Sequence, residues 1–166
     1  MCKAQSTALL AAEVVAELCR CQMTVATAES CTGGAVSQAI TSVAGCSAVM
    51  RGAVVAYHND IKTGVLGVSP AVLEAVGAVS EEVVRQMADG VSRLMSADCS
   101  IATSGIVGPG GGTAEKPVGT VWVAVKVRSV VVAKKQQLCD KGRLQNVANA
   151  AREALAMLRD VLKSGV

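Results

Sequence analysis

Three short stretches concentrate the side chains able to do acid, base or nucleophilic chemistry. The first is Ala28-Glu29-Ser30-Cys31-Thr32-Gly33-Gly34, which sets two hydroxyls and a thiol before a glycine pair. At the start of a helix, unpaired backbone amides and the helix dipole stabilise negative charge. The plainer alternative is that Ser30 or Thr32 only caps the helix. Neither G-x-S-x-G nor S-x-x-K runs through this stretch, so Ser30 carries no familiar local nucleophile signature. The second stretch, Tyr57-His58-Asn59-Asp60-Ile61-Lys62, holds the single tyrosine and the single histidine of the chain beside a lysine. A lysine desolvated in a cleft loses its proton near neutral pH and acts as a base. A tyrosine hydroxyl can relay a proton to it. A solvated turn with an ordinary lysine is the competing reading. His58 and Asp60 stand too close in sequence to converge as two members of a Ser-His-Asp triad. The third stretch, Gly105 to Thr113, contains Gly105, Gly108, Gly110, Gly111 and Gly112. Such density frees backbone N–H groups to face an anion, because no Cβ obstructs the approach. It fits neither the Walker nor the dinucleotide pattern. A flexible crossover would use the same residues. Lys116 stands ready as an added cation or as an ordinary exposed lysine.

The elements that must carry these stretches follow from periodicity and breakers. Thr7 to Gln22 places Leu10, Val14 and Leu18 at helical spacing. Thr24 to Thr27 reads as a buried strand running into the Ala28 to Gly34 loop, then a helix that ends near Ser42. Arg51 to Tyr57 is a second strand, followed by a short helix around Asn59 to Leu66. Ser80 caps a helix through Leu94 whose Val83, Met87, Val91 and Leu94 share one face. Cys99 to Ser104 is a third strand. Val118 to Val127 and Val130 to Leu138 flank Arg128-Ser129 as an antiparallel hairpin. Val147, Ala151, Leu155, Leu158 and Leu162 mark a long closing helix. The alternation predicts a single α/β domain over residues 1–166, a three-layer α/β/α sandwich with a mixed, mostly parallel sheet of about five strands. In such sheets ligands bind beyond the carboxyl ends of the strands, so all three stretches are expected to converge on one cleft.

Composition narrows the function class. The 166 residues are 51% hydrophobic and 17% charged, which excludes disorder. Net charge is +3, the cations are scattered, and Trp122 and Tyr57 are the aromatics, so no nucleic-acid partner is expected. No apolar run is long enough to span a membrane, and the N-terminus lacks a secretion pattern. A cytoplasmic protein with buried reduced thiols is the expectation for its seven cysteines. One histidine and no CxxC pair offer little for a metal site.

At these stretches the chain resembles the CinA C-terminal domain family, the nicotinamide mononucleotide (NMN) amidohydrolases. The matching segments are TAESCTGG (Thr27 to Gly34), GAVVAYHNDIKTGVLGV (Gly52 to Val68), GAVSEEVV (Gly77 to Val84) and SGIVGPGGGTAEKPVGTVWVA (Ser104 to Ala124). The resemblance is to the stand-alone form of the domain. It implies hydrolysis of the carboxamide of NMN to nicotinate mononucleotide and ammonia in pyridine nucleotide recycling, without metal or organic cofactor, by a protein that is at least a dimer. Ser30 matches the family nucleophile, Lys62 its base and Tyr57 the tyrosine of the same site. Amides around Thr32 to Gly34 would hold the oxyanion. Cys31, Thr32, Gly33, Gly34 and Asn59 would touch substrate. Gly105, Gly108, Gly110, Gly111 and Thr113 would hold the ribose phosphate. The chain departs from the family in two places. His58 replaces a smaller polar residue, and Arg143, a phosphate or structural contact, is followed by Leu144-Gln145-Asn146-Val147 without a second arginine. The alternative class is a nucleotide-binding or competence-related partner-binding module that performs no chemistry.

Overall fold

The structure, a computed structural model, describes residues 5–165. Five strands form one sheet in the order β2-β1-β3-β4-β5: β1 Val25–Glu29, β2 Met50–Val55, β3 Cys99–Gly105, β4 Thr120–Val127 and β5 Val130–Gln137. The β1–β2 and β1–β3 pairs are parallel, whereas β3–β4 and β4–β5 are antiparallel. Only β4 therefore runs against the rest, giving the expected mixed sheet. Helices α1 (Thr7–Cys21), α2 (Ala35–Thr41) and α6 (Arg143–Lys163) cover one face, and α5 (Glu81–Leu94) covers the other. Two short helices, α3 (Asn59–Gly64) and α4 (Pro70–Val76), join β2 to α5.

Alternation along the strands decides which residues each layer meets. Val25, Cys99, Ile101, Val121, Val123 and Val125 point into the α1/α2/α6 layer. Ala26, Ala28, Ala102 and Ala124 point the other way, beneath α5. Small residues on that face let the α5 layer approach closely. Gly90 of α5 meets the segment after α3 so tightly that an added Cβ would lie 2.0 Å from the Leu66 carbonyl oxygen. Gly90→Ala should gain ~1 kcal/mol of helix propensity, but the overlap with fixed backbone outweighs it. We expect a net loss of about 2 kcal/mol, read as a lower denaturant midpoint; a rise in midpoint would refute the packing argument.

The boundaries shift most where function is concentrated. Ala28 and Glu29 belong to β1 rather than to the following loop, paired with Ala102 and Thr103 on one side and Val54 and Val55 on the other. A glutamate at a strand end reads as a loop residue because a buried carboxylate is costly; here the carboxylate is fully bonded inside. The second strand ends at Val55, so Tyr57 stands beyond it. Helix α4 and a 3-10 turn at Cys46–Ala48 were not expected. The α4 signal was present as Ser69-Pro70 at its start and Gly77 just past its end.

Candidate active site

The parallel register sets the site. Glu29 is level with Val55 and Thr103, so the chain leaves all three strands at one edge of the sheet. Ser30 is held one step beyond the ladder, its N–H donating to Thr103 O at 3.0 Å. Ala56 N–H donates to Glu29 O at 2.8 Å, which starts the Tyr57 segment beside Ser30. Across the gap, the glycine-rich segment leaves β3 and returns to β4, tied by Ile106 N–H to Thr120 O and Gly119 N–H to Ile106 O, both 2.8 Å. The result is a cleft of about 270 Å³, lined from all three stretches by Ser30, Cys31, Tyr57, Asn59, Lys62 and the glycine-rich segment.

Lys62 is the most unusual group in it. The lysine is 1% exposed while its neighbour Ile61 is 39% exposed, an inversion of ordinary helix burial. Its Nζ donates to Ala56 O at 2.8 Å and Tyr57 O at 3.1 Å. Both partners are neutral carbonyls, so burial holds the ammonium below the usual lysine range. The solvated-turn reading of Lys62 is thereby set aside. His58 instead caps α3, its Nδ1 accepting from Asp60 N–H at 3.4 Å. His58 and Asp60 are both solvent-exposed and neither lines the cleft.

The glycine-rich segment is joined to the rest by α6. The first residue of that helix, Arg143, donates to Gly108 O and to the Tyr57 hydroxyl, each at 2.7 Å. Arg143 lines the cleft, as do Gly105, Gly108, Gly110 and Gly111. The Asn146 amide, fully buried, donates to Val107 O at 3.1 Å and to Asp140 Oδ1 at 2.8 Å, anchoring the same segment from behind. Gly105 is required by packing, since a Cβ there would lie 2.8 Å from Thr120 O.

Four expected substrate contacts lie elsewhere. Thr32 is buried, and its hydroxyl donates to Glu29 Oε2 at 2.7 Å, so it faces inward. Gly33 and Gly34 lie at positive φ and outside the cleft. Their amides are already engaged, by Ser30 O at 3.1 Å and by Glu29 Oε2 at 3.0 Å. They are therefore not free for an oxyanion, whereas the Cys31 and Thr32 amides donate to no other residue among the described residues. Thr113 closes a local turn with Lys116 instead. Lys116 in turn donates to Val76 O at 3.0 Å, capping α4 and not the cleft. The sequence reading missed Ser104, Ile106 and Val107, and also Ala78 and Val79 from the loop before α5. The segment Gly77 to Val84 that carries part of the resemblance was the available signal for the last two.

Comparison with known proteins identifies the family. The profile of the CinA C-terminal domain matches residues 7–162. The chain belongs to the CinA C-terminal domain family. A CinA-like protein of Cytophaga hutchinsonii is 50% identical over 140 residues, covering 84% of this chain and 33% of that one. The chain spans about a third of the length of the curated relatives it matches. Among solved structures, the competence/damage inducible protein CihA from Agrobacterium tumefaciens superposes with a TM-score of 0.91 at 39% identity, covering 98% of this chain and 99% of that one. A CinA superfamily protein from Klebsiella pneumoniae gives 0.92 at 35% identity, covering 96% and 99%.

Within this CinA domain the cleft thiol is unsuited to attack. Burial pushes the Cys31 thiol up to about 12, and the nearby Glu29 charge acts in the same direction. Cys99, also buried, is pushed up to about 12. Cys19 and Cys139 are exposed, so only part of the thiol set is buried as expected. Iodoacetamide at pH 8 should therefore alkylate Cys19 and Cys139 in the native protein and leave Cys31 and Cys99 unmodified until denaturant is added. Peptide mass spectrometry would show this; rapid native labelling of Cys31 would contradict its protonated, buried state. Among the described residues, no three His, Cys, Asp or Glu side chains cluster as metal ligands, and no helix is long and apolar enough to cross a membrane.

Proposed function

We propose that this cleft hydrolyses the carboxamide of NMN to nicotinate mononucleotide and ammonia. The CinA-like family includes amidohydrolases. The observation that carries the reading is the buried Lys62 amine, bonded only to neutral carbonyls, in the same cleft as the Ser30 hydroxyl. A neutral amine there accepts the Ser30 proton as Oγ bonds to the carboxamide carbon. The tetrahedral oxyanion is held by the Cys31 and Thr32 amides; each such donor is typically worth ~3 kcal/mol. Collapse breaks the C–N bond, and the proton held at Lys62 passes to the departing nitrogen, with the Tyr57 hydroxyl as relay. Water then attacks the ester, giving its proton to Lys62; collapse breaks the C–Oγ bond, Lys62 returns that proton to Ser30 Oγ, and nicotinate mononucleotide is released.

The amides of Gly108, Gly110 and Gly111, unpaired among the described residues, with the Arg143 guanidinium, suit the ribose phosphate. Asn59 and Gly105 line the remaining wall. The free thiols of the chain suit a reducing compartment, and we place the reaction in the cytoplasm. Incubating the purified protein with NMN and measuring ammonia together with nicotinate mononucleotide tests the reading; no product from folded protein overturns it. A second reading, nucleotide binding without turnover, draws on the single guanidinium at the phosphate end, where Leu144 follows Arg143 and is 88% exposed. Calorimetric NMN binding with no ammonia would select it.

A further inference from the structure

The proposed reaction leaves the fully buried carboxylate of Glu29 without a role, although it directly precedes Ser30. Its Oε2 accepts from the Thr32 hydroxyl at 2.7 Å and from the Gly34 and Val36 amides at 3.0 Å. Its Oε1 accepts from the Ser37 amide at 2.7 Å and the Thr27 hydroxyl at 3.1 Å. Thr32 gives its hydroxyl proton to Glu29, so the 2.7 Å contact between Thr32 Oγ1 and Thr103 Oγ1 must be donated by Thr103. One carboxylate thus spans the turn from β1 to the second residue pair of α2 and ties it to β3. The amides at the start of α2 are occupied from inside, so this helix end is not where the substrate anion binds. Among the described residues, the amides at Cys31 and Thr32, immediately after Ser30, donate to no other residue.

We propose that Glu29 is a positioning residue for the reaction at Ser30: its carboxylate, by binding the amides of Gly34, Val36 and Ser37, fixes the turn that carries Ser30 and Cys31 into the cleft. This rests on the amidase reading. Glutamine has the same shape but one acceptor oxygen. In either orientation its NH₂ confronts the Ser37 N–H or the Gly34 and Val36 N–H groups, so the turn cannot keep its form.

The test compares wild type with Glu29→Gln, counting NMN-binding sites by calorimetry and measuring ammonia release per site. A fall in kcat per site of about 100-fold, with KM and NMN affinity within about threefold, is the expected result, because a displaced oxyanion donor acts in the transition state and not in the ground state. An unchanged kcat per site, or loss carried mainly by KM, overturns the proposal. If Glu29→Gln does not fold, Thr32→Val removes one of the five bonds and should lower kcat per site about tenfold by the same split; no change would count against Glu29. Amide hydrogen exchange keeps the two ideas apart. If wild type releases no ammonia, the amidase reading fails by itself. Loss of protection confined to residues 30–37 in the variant would still uphold positioning of the turn, and unaltered protection there would sink it.

Discussion

Replacing Lys62 by methionine is expected to lower NMN turnover by about 10³-fold or more, since general-base assistance and activation of the nucleophile are lost together. Methionine keeps most of the aliphatic stem in place, so the loss would report the amine and not the packing. In the wild type, burial lowers the Lys62 pKa below the ordinary value of 10.5, and kcat/KM should rise with pH through that lowered value. The same shift links to stability with a definite sign. Between the lowered folded-state pKa and the ordinary one, the unfolded chain binds a proton that the fold does not. The contribution of Lys62 to stability therefore grows as pH rises across that window and is smallest below it. Denaturant titrations at pH 7 and pH 10 should show the wild type gaining on Lys62→Met at the higher pH. A difference independent of pH would show that the buried amine keeps its ordinary pKa, and the base assignment would fall with it.

Ser30→Ala is expected to reduce turnover by about 10⁴-fold or more while NMN affinity changes little, because the hydroxyl supplies the new bond and almost none of the binding. Serine and lysine act as one unit in the first step, so the double variant Ser30→Ala/Lys62→Met should be scarcely slower than either single one. Multiplicative losses in the double variant would show two independent contributions and contradict the direct proton transfer from Ser30 to Lys62. Retained turnover in Ser30→Ala would remove the serine from the chemistry altogether. Cys31 would not be its obvious replacement, given a thiol pushed up to about 12 by burial.

The two substitutions probe a site in which positive charge is distributed unevenly. Lys62 sits at the inner wall, bonded to the Ala56 and Tyr57 carbonyls and to no carboxylate among the described residues, while Arg143 stands at the outer wall, bonded to Gly108 O and the Tyr57 hydroxyl. In the proposed reaction the substrate phosphate would be drawn to the outer cation, leaving the neutral carboxamide near the inner amine.

Local chemistry written in the residues determined the ladder of strands and helices. Ser80 does cap α5, its hydroxyl accepting from Val83 N–H; the Val-rich hairpin turns at Arg128-Ser129; and glycine density marked the segment after β3. These features depend on neighbours a few positions away, so a sequence displays them. Convergence of Ser30, Tyr57 and Lys62 was likewise legible, because parallel strands must release their loops at one edge. What only tertiary structure decided was the state of individual groups. Nothing adjacent to Lys62 shows that it is buried and Ile61 exposed; in the fold its amine turns onto the Ala56 and Tyr57 carbonyls just beyond β2. Nothing beside Glu29 shows its carboxylate turned onto the start of α2, which engages the Gly34 amide and the Thr32 hydroxyl. The Arg143–Tyr57 bond joins residues 86 positions apart. Desolvation and long-range hydrogen bonding are set by elements that meet only in the folded molecule, and those two effects fix which polar groups remain free to react.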